Sequence, residues 1–322
     1  MLRKTSGQNP SSLKVGIGDD AAVLLPRGAH ELWVVTTDLL LEDIDFRGGW
    51  LSPAQLGHKS LAANLSDLAA MGARPRFHTV ALGLPRGLGE RWIASFYQGM
   101  KRLADALGTT LIGGDLSRSE HGLHISVCAI GESSRRKLLY RSGGNAGDVL
   151  FVTGTLGLAA AGLKLLELGR THADNEPERL ALSAQREPAP RCSTGTWLAR
   201  SGLVSCMMDL SDGLSADLPR LCAESRTGAE IYSNWLPVFG DSVRWGCDPV
   251  ALAFHGGEDF ELLFAVPRSC LCAFNAAYPR RFPPVTQIGR LTRKRVLTCR
   301  ARPRGEARLL PPLGFDHFRK TK

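Results

Sequence analysis

The sequence predicts an α/β chain, α+β in type, built as two domains. Apolar β-runs alternate with helical stretches through both halves of the 322 residues, the pattern of sheets covered by helices. A Gly-rich polar stretch, RSGGNAGD at residues 141–148, separates the halves as linkers do. The expected domains are therefore 1–142 and 143–322. A hydrophobic content of 43% is ordinary for a globular chain, and the length suffices for a large core.

Taken in order, AAVLL and ELWVVTTD read as the first strands, separated by the turn PRGAH. Ser52 followed by Pro53 marks a helix start; the helix runs to Met71 and is stopped by Gly72, with Pro75 beyond. ERWIASFYQGMKRLADAL is a second helix ended by Gly108, and TTLIGGD and LHISVCAIGE are strands. After the linker come the strand VLFVTG, the helix LGLAAAGLKLLEL, a polar Pro-containing connection over 171–190 and a helix near 191–200. The strand LVSCMMDL, the helix GLSADLPRLCAES and the strands AEIYS, FELLFAVP, VTQIG and RVLTCR follow.

The net charge of +9 is local. Residues 291–322 hold ten Lys and Arg against Glu306 and Asp316, whereas the first 290 carry 30 basic and 29 acidic side chains. Few aromatic residues interleave the basic stretch RKRVLTCRARPRGEAR, which reads as a solvated strand-and-loop edge and not as a nucleic-acid site. No apolar run approaches the ~20 residues that span a bilayer, and MLRKTSGQNPSSLK lacks the apolar core of a signal peptide. The eight cysteines form no CxxC pair and no zinc-type grouping with histidine. Several, Cys128 among them, alternate like strand core positions, as free thiols of a reducing compartment do. The expected location is the cytoplasm, with no membrane or nucleic-acid partner.

GLAAAGLK (157–164) imitates a phosphate-binding P-loop, but Leu163 stands where Lys is needed and no Ser or Thr follows Lys164. It reads as a small-residue helix packed close to a sheet. The acidic clusters carry more. Asp19 and Asp20 precede a strand in GIGDDAAVL, and Asp38 ends one in TTDLLLED. Asn64 and Asp67 share a helix face beside the stripe Leu61, Leu65 and Leu68. Asp115 follows an apolar strand in LIGGDLS, where Gly113 and Gly114 permit close approach of backbone to a ligand. Asp209, Ser211 and Asp212 repeat the pattern in MDLSDGLSADL. Singly each has a structural reading: Asp212 as a helix cap, Glu42 and Asp43 as a solvated loop. Together, carboxylates gathered at strand ends fit a site in which hard cations grip phosphates.

The stretches GIGDDAAVL, TTDLLLED, KSLAANLSDLAAMGARP, LIGGDLSRS, RSGGNAGDVLFVTGTLG, DLSDGLSADL, GGEDFELLF and the terminal GFDHF, in this order, resemble the thiamine-monophosphate kinase family. The resemblance covers the chain from about residue 15 to its end. NLSDLAAMGA, DLSDGL and GGEDFEL are its specific parts; GGD is shared with a wider superfamily that includes aminoimidazole ribonucleotide synthetase and selenophosphate synthetase.

The resemblance implies transfer of the ATP γ-phosphoryl group to thiamine phosphate, directly and in line, assisted by several Mg²⁺ ions and without a phosphoenzyme. Asp20, Thr36, Thr37, Asp38, Asp67, Asp115, Asp209 and Asp212 fall on the family's Mg²⁺ positions, and Gly114, Asp115, Arg141 and Ser211 on its ATP contacts. Asp45, Glu258 and Phe315 fall on substrate positions. An aromatic ring at Phe315 suits a cationic thiazolium, and Glu258 supplies the opposite charge. The implied architecture is a homodimer whose N-terminal domains pair their sheets into a β-barrel flanked by helices, with a C-terminal α/β domain completing the nucleotide and substrate site. Two departures stand out. Asp45 replaces the family's histidine, and the family's longer N-terminal lead with its G-E-F-like signature is absent. A superfamily enzyme with a different acceptor and a non-catalytic ATP-binding homologue are the alternatives that Asp45 leaves open.

Overall fold

The computed structural model describes residues 11–134, 137–311 and 313–315. The chain divides into two compact units. Unit 1 is Met1–Leu138 with Arg186–Thr196, and unit 2 is Leu139–Gln185 with Trp197–Lys322.

In unit 1, β1 (Leu13–Val15), β2 (Ala22–Leu24), β3 (Glu31–Leu41), β4 (Arg74–Leu84), β5 (Thr110–Arg118) and β6 (His124–Ser134) form one sheet of order β1-β2-β3-β6-β4-β5. β4 and β5 pair in parallel and the other neighbours antiparallel. α1 (Pro53–Ala70) packs on β3, β4 and β6, and α2 (Glu90–Leu107) on α1 and β5. Ser52 and Gln55 cap α1 reciprocally, at 3.3 Å and 2.9 Å. The two helices touch through glycine: a Cβ on Gly99 would lie 1.8 Å from the Ala54 carbonyl oxygen. Val34, Val80, Leu82, Val127 and Ala129 are buried on the helix side, whereas Trp33, Leu39 and Phe77 on the other face are exposed. The sheet is open, with β1 and β5 as its edges, so among the described residues one chain alone forms no barrel.

Unit 2 holds β7 (Val149–Thr153), β8 (Cys206–Leu210), β9 (Gly228–Tyr232), β10 (Glu261–Val266), β11 (Val285–Thr292), β12 (Leu297–Arg300) and β13 (Arg308–Leu309), in the order β13-β12-β9-β11-β7-β10-β8. The pairs are antiparallel apart from β9 with β12. α3 (Leu158–Glu167), α4 (Glu176–Arg186), α6 (Leu214–Ser225), α7 (Pro249–His255) and α8 (Leu271–Ala277) accompany it, and α5 (Cys192–Ser201) begins in unit 1 and ends in unit 2. Strands β7 to β10 are buried at every position, which explains their continuous apolar runs. One side packs Leu150, Val152, Met208 and Leu263 on Leu218 of α6; on the other Phe151, Phe264 and Phe274 pack ring to ring.

Several expectations change. β3 runs on to Leu41 because Leu39–Leu41 keep pairing with β6, so Asp38 lies inside the strand and not at its end. Asp115 likewise lies within β5. β4 was not expected at all, and neither was α4 inside the 171–190 connection. RSGGNAGD is not a free linker: the Gly144 N–H donates to Ser225 Oγ and the Asn145 N–H to Asp148 Oδ2, and the unit boundary falls at Leu138/Leu139. α3 packs its Gly162 against α4, where a Cβ would meet the Ala181 carbonyl oxygen at 2.1 Å. Cys128 is half-buried on the uncovered face of the first sheet and not in its core.

Candidate active site

Unit 1 gathers one cluster on the helix side of β3. Alternation along the strand turns Thr36 inward, buried, and its hydroxyl donates to Asp67 Oδ2 of α1 at 2.5 Å. Asp67 reaches this point because Leu61, Leu65 and Leu68, fully buried, press the neighbouring stripe of α1 onto the sheet. Buried Asp20, from the turn before β2, brings a carboxylate oxygen within 4.8 Å of one from Asp67. Asp38 is two residues from Thr36 on the same face, and its N–H donates to Asn64 Oδ1 at 3.1 Å.

Thr37 and Asp115 are not brought into this cluster. The Thr37 hydroxyl faces the other side and donates to the Val127 carbonyl at 3.0 Å. Exposed Asp115 is in register with exposed Ala81, on the face away from Val80 and Leu82, and accepts the Ser117 hydroxyl at 3.3 Å. Gly114 is required by the sheet itself, since a Cβ there would lie 2.0 Å from the Val80 carbonyl oxygen. Asp45 stands in the loop after β3, where its Oδ2 accepts the Leu41 N–H at 2.8 Å. Glu42 is no merely solvated group: its Oε2 accepts the Leu123 N–H at 2.8 Å. Asp43 is exposed with φ of +66°.

Unit 2 assembles a second set around the turn from Asp209 to Gly213. Asp209 is buried in β8, opposite Leu262 of β10. Asp212 does not cap α6; its carboxylate pairs with Arg220 at 2.7 Å, and Gly213 takes the cap position without a side-chain bond. The buried Asp217 holds the turn instead, accepting the Ser211 N–H at 3.1 Å and the Asp212 N–H at 3.0 Å while pairing with Arg220 at 2.8 Å. The turn's carbonyls receive two of the three substrate candidates: the Glu258 N–H donates to Ser211 O at 2.7 Å and the Phe315 N–H to Asp212 O at 3.0 Å. The rest of the terminal GFDHF, from Asp316 onward, lies outside the described residues. Arg141, also in unit 2, accepts the Ser225 hydroxyl on its carbonyl at 2.7 Å.

GGEDFEL contains a residue with a role that motif reading missed. The Asp259 carboxylate accepts the Gly157 and Ala159 N–H groups at 2.6 Å and 3.1 Å, gripping the N-terminus of α3. Burial pushes its carboxyl up to about 7, with these N–H groups opposing the rise. Asp217, Arg220 and Gln185 were missed as well. The partners of Asp259 and Gln185 lie far along the chain, whereas Asp217 and Arg220 pair within the segment 211–220, where the clustering of Asp217 in an acidic motif was a local signal.

The donors in both sets are carboxylate and hydroxyl oxygens, which fit Mg²⁺ and exclude a thiolate-preferring metal. The fold and these carboxylates define a two-domain AIR synthase related protein: the N-terminal domain model of that group matches residues 18–133 and the C-terminal domain model residues 145–301. A thiamine-monophosphate kinase of Bacillus subtilis is 34% identical over 312 residues, covering 96% of this chain and 95% of the relative. The solved structure of AaThiL complexed with AMPPCP and TMP matches with a TM-score of 0.82 and 30% identity, over 94% of this chain and 92% of that one. The thiamine-monophosphate kinase from Stenotrophomonas maltophilia K279a matches with a TM-score of 0.78 and 37% identity, over 92% and 93%. The chain belongs to the thiamine-monophosphate kinase family.

Proposed function

We propose that the chain transfers the γ-phosphoryl group of ATP to thiamine phosphate, in line and in one step, giving thiamine diphosphate and ADP. The observation that carries the reading is the Thr36–Asp67–Asp20 arrangement beside Asp38, in a chain of this family. Two carboxylates this close favour a cation. Asp20, Thr36, Asp38, Asp67, Asp209 and Asp212 are the proposed Mg²⁺ ligands; Thr37 and Asp115, which face the other side of the first sheet, are proposed ligands apart from the Thr36–Asp67–Asp20 cluster. Bound Mg²⁺ supplies the positive charge that lets two anionic phosphates approach.

The chain's own task is orientation. Thiamine phosphate is already an oxygen nucleophile near neutral pH, so no strong base is needed. Gly114, Asp115, Arg141 and Ser211 are proposed to meet ATP, with the Arg141 guanidinium on phosphate oxygens. Glu258 and Phe315 offer a charge and a ring to the thiazolium, and Asp45 lies beside the same substrate. The Asp217–Arg220 pair keeps the 209–213 turn in shape.

The active form in this reading is a cytoplasmic homodimer. Pairing the open sheet faces of two copies into a barrel would cover Trp33, Leu39 and Phe77 and the exposed β5 edge. No helix is long and apolar enough to cross a membrane among the described residues. One observation favours a second reading, a related enzyme with a different acceptor: the carboxylate of Asp45 where the family has histidine.

The test is mass-spectrometric detection of thiamine diphosphate after incubation with thiamine phosphate, ATP and Mg²⁺, against a no-protein blank and Asp38→Asn. Product that vanishes in the variant supports the kinase. ATP binding without product supports the other acceptor.

A further inference from the structure

We infer that Gln185 is a positioning residue for the thiamine phosphate site: its amide fixes how the Glu258 carboxylate is turned toward a cationic ligand. The inference rests on the reading of Glu258 as a substrate-holding residue.

Gln185 Nε2 donates to Glu258 Oε2 at 2.7 Å. The side chain is 3% exposed, so the bond is not one choice among many surface rotamers. Its place is set by a glycine opposite: a Cβ on Gly162 of α3 would lie 2.8 Å from Gln185 Cβ and 2.1 Å from Ala181 O of α4. α3 is in turn gripped at its N-terminus by Asp259, the residue next to Glu258. The connections close on themselves, from Glu258 through Asp259, α3 and α4 to Gln185 and back to the Glu258 carboxylate.

The backbone is held as firmly. Glu258 has φ of +68° and Phe260 φ of +48°, left-handed values that side-chain-bearing residues keep only where the surroundings impose them. Their N–H groups donate to Ser211 O at 2.7 Å and Leu210 O at 2.9 Å. β8 and its turn thus fix where Glu258 stands, and α4 fixes how its carboxylate is turned.

The chemistry of the donor matters. A Lys or Arg at 185 would pair with Glu258 and cancel the charge offered to a thiazolium. An apolar side chain would remove the amide bond that turns the carboxylate. A neutral amide orients the carboxylate and adds no charge of its own.

Steady-state kinetics of the full-length enzyme with thiamine phosphate, ATP and Mg²⁺ test this. Gln185→Leu should raise KM for thiamine phosphate about 5- to 10-fold, with KM for ATP and kcat within about twofold of the parent. Gln185→Lys should raise it at least as much. In a Glu258→Gln background the Gln185→Leu change should add nothing, because its effect acts through the Glu258 carboxylate. An unchanged KM in Gln185→Leu, with a raised one in Glu258→Gln, overturns the role of Gln185. An unchanged KM in Glu258→Gln overturns the reading of Glu258 beneath it. Losses that multiply in the double variant, or fall equally on both substrates, reduce Gln185 to a structural residue and overturn the inference. Gln185→Met, of similar length without a donor, gives the same decision if Gln185→Leu does not fold.

Discussion

Asn64 of α1 joins a helix to a strand interior: its Oδ1 accepts the Asp38 N–H at 3.1 Å while its Nδ2 donates to Ser60 O at 3.1 Å. The side chain is fully buried, and Asp38 and Thr36 owe their register against α1 to it and to Asp67. Asn64→Leu keeps the volume but takes the acceptor from the Asp38 N–H. The expected cost is about 1–3 kcal/mol in denaturant unfolding, together with a higher Mg²⁺ requirement for turnover. Unchanged unfolding and Mg²⁺ dependence would show that Asp38 needs no such anchor.

Asp67→Asn separates fold from function at the same cluster. The amide oxygen can still accept the Thr36 hydroxyl, so packing of α1 on β3 survives. The negative charge beside Asp20 is lost. Turnover is expected to fall by about 100-fold or more, with little change in the melting temperature of the metal-free chain. The thermal shift that Mg²⁺ and ATP give the parent should shrink in the variant. A variant that melts like the parent with and without Mg²⁺–ATP would remove Asp67 from the metal ligands.

How much of this was legible in the sequence depended on how local the cause was. α1 announced itself through Ser52, Pro53 and Gly72, whose effects act within one turn. β4 did not, because Phe77 and Ala81 on its uncovered face are apolar too and blur the alternation with His78, Val80 and Leu82. α4 was hidden by polar residues on its own buried side, Glu178 and Gln185. The carboxylates of the site could be found in their motifs, whereas two of the groups that aim them, Gln185 and Asp259, depend on contacts across tens of residues.

His78 gives the chain a predictable acid sensitivity. It is buried in β4, its Nδ1 meets Thr109 Oγ1 at 3.1 Å, and its Nε2 has no partner among the described residues. Burial lowers its pKa from 6.5 to about 4. Because the unfolded chain takes up the proton first, stability falls as pH drops from 6.5 and this contribution levels off near 4, by up to about 3 kcal/mol in all. His78→Leu should remove that part of the slope. Parent and variant are compared by urea unfolding between pH 7 and 4; parallel curves would place the acid sensitivity elsewhere.

Asp45 sets the last prediction, because its structural and chemical roles can be pulled apart. Its Oδ2 accepts the Leu41 N–H, and the Asp45 N–H donates to Leu41 O at 2.9 Å, so the residue closes the loop after β3. An asparagine oxygen can make the first bond as well as a carboxylate can, while carrying no charge. Asp45→Asn should therefore leave the melting temperature near that of the parent. Asp45→Ala, lacking the acceptor, should cost about 1 kcal/mol. If the carboxylate faces the substrate phosphate, its removal relieves repulsion, and KM for thiamine phosphate is expected to fall about 2- to 5-fold in Asp45→Asn. A rise in KM would reverse the orientation and put Asp45 beside the thiazolium, where its charge attracts. Either direction locates the substrate relative to this loop, and only an unchanged KM would leave Asp45 a loop residue alone.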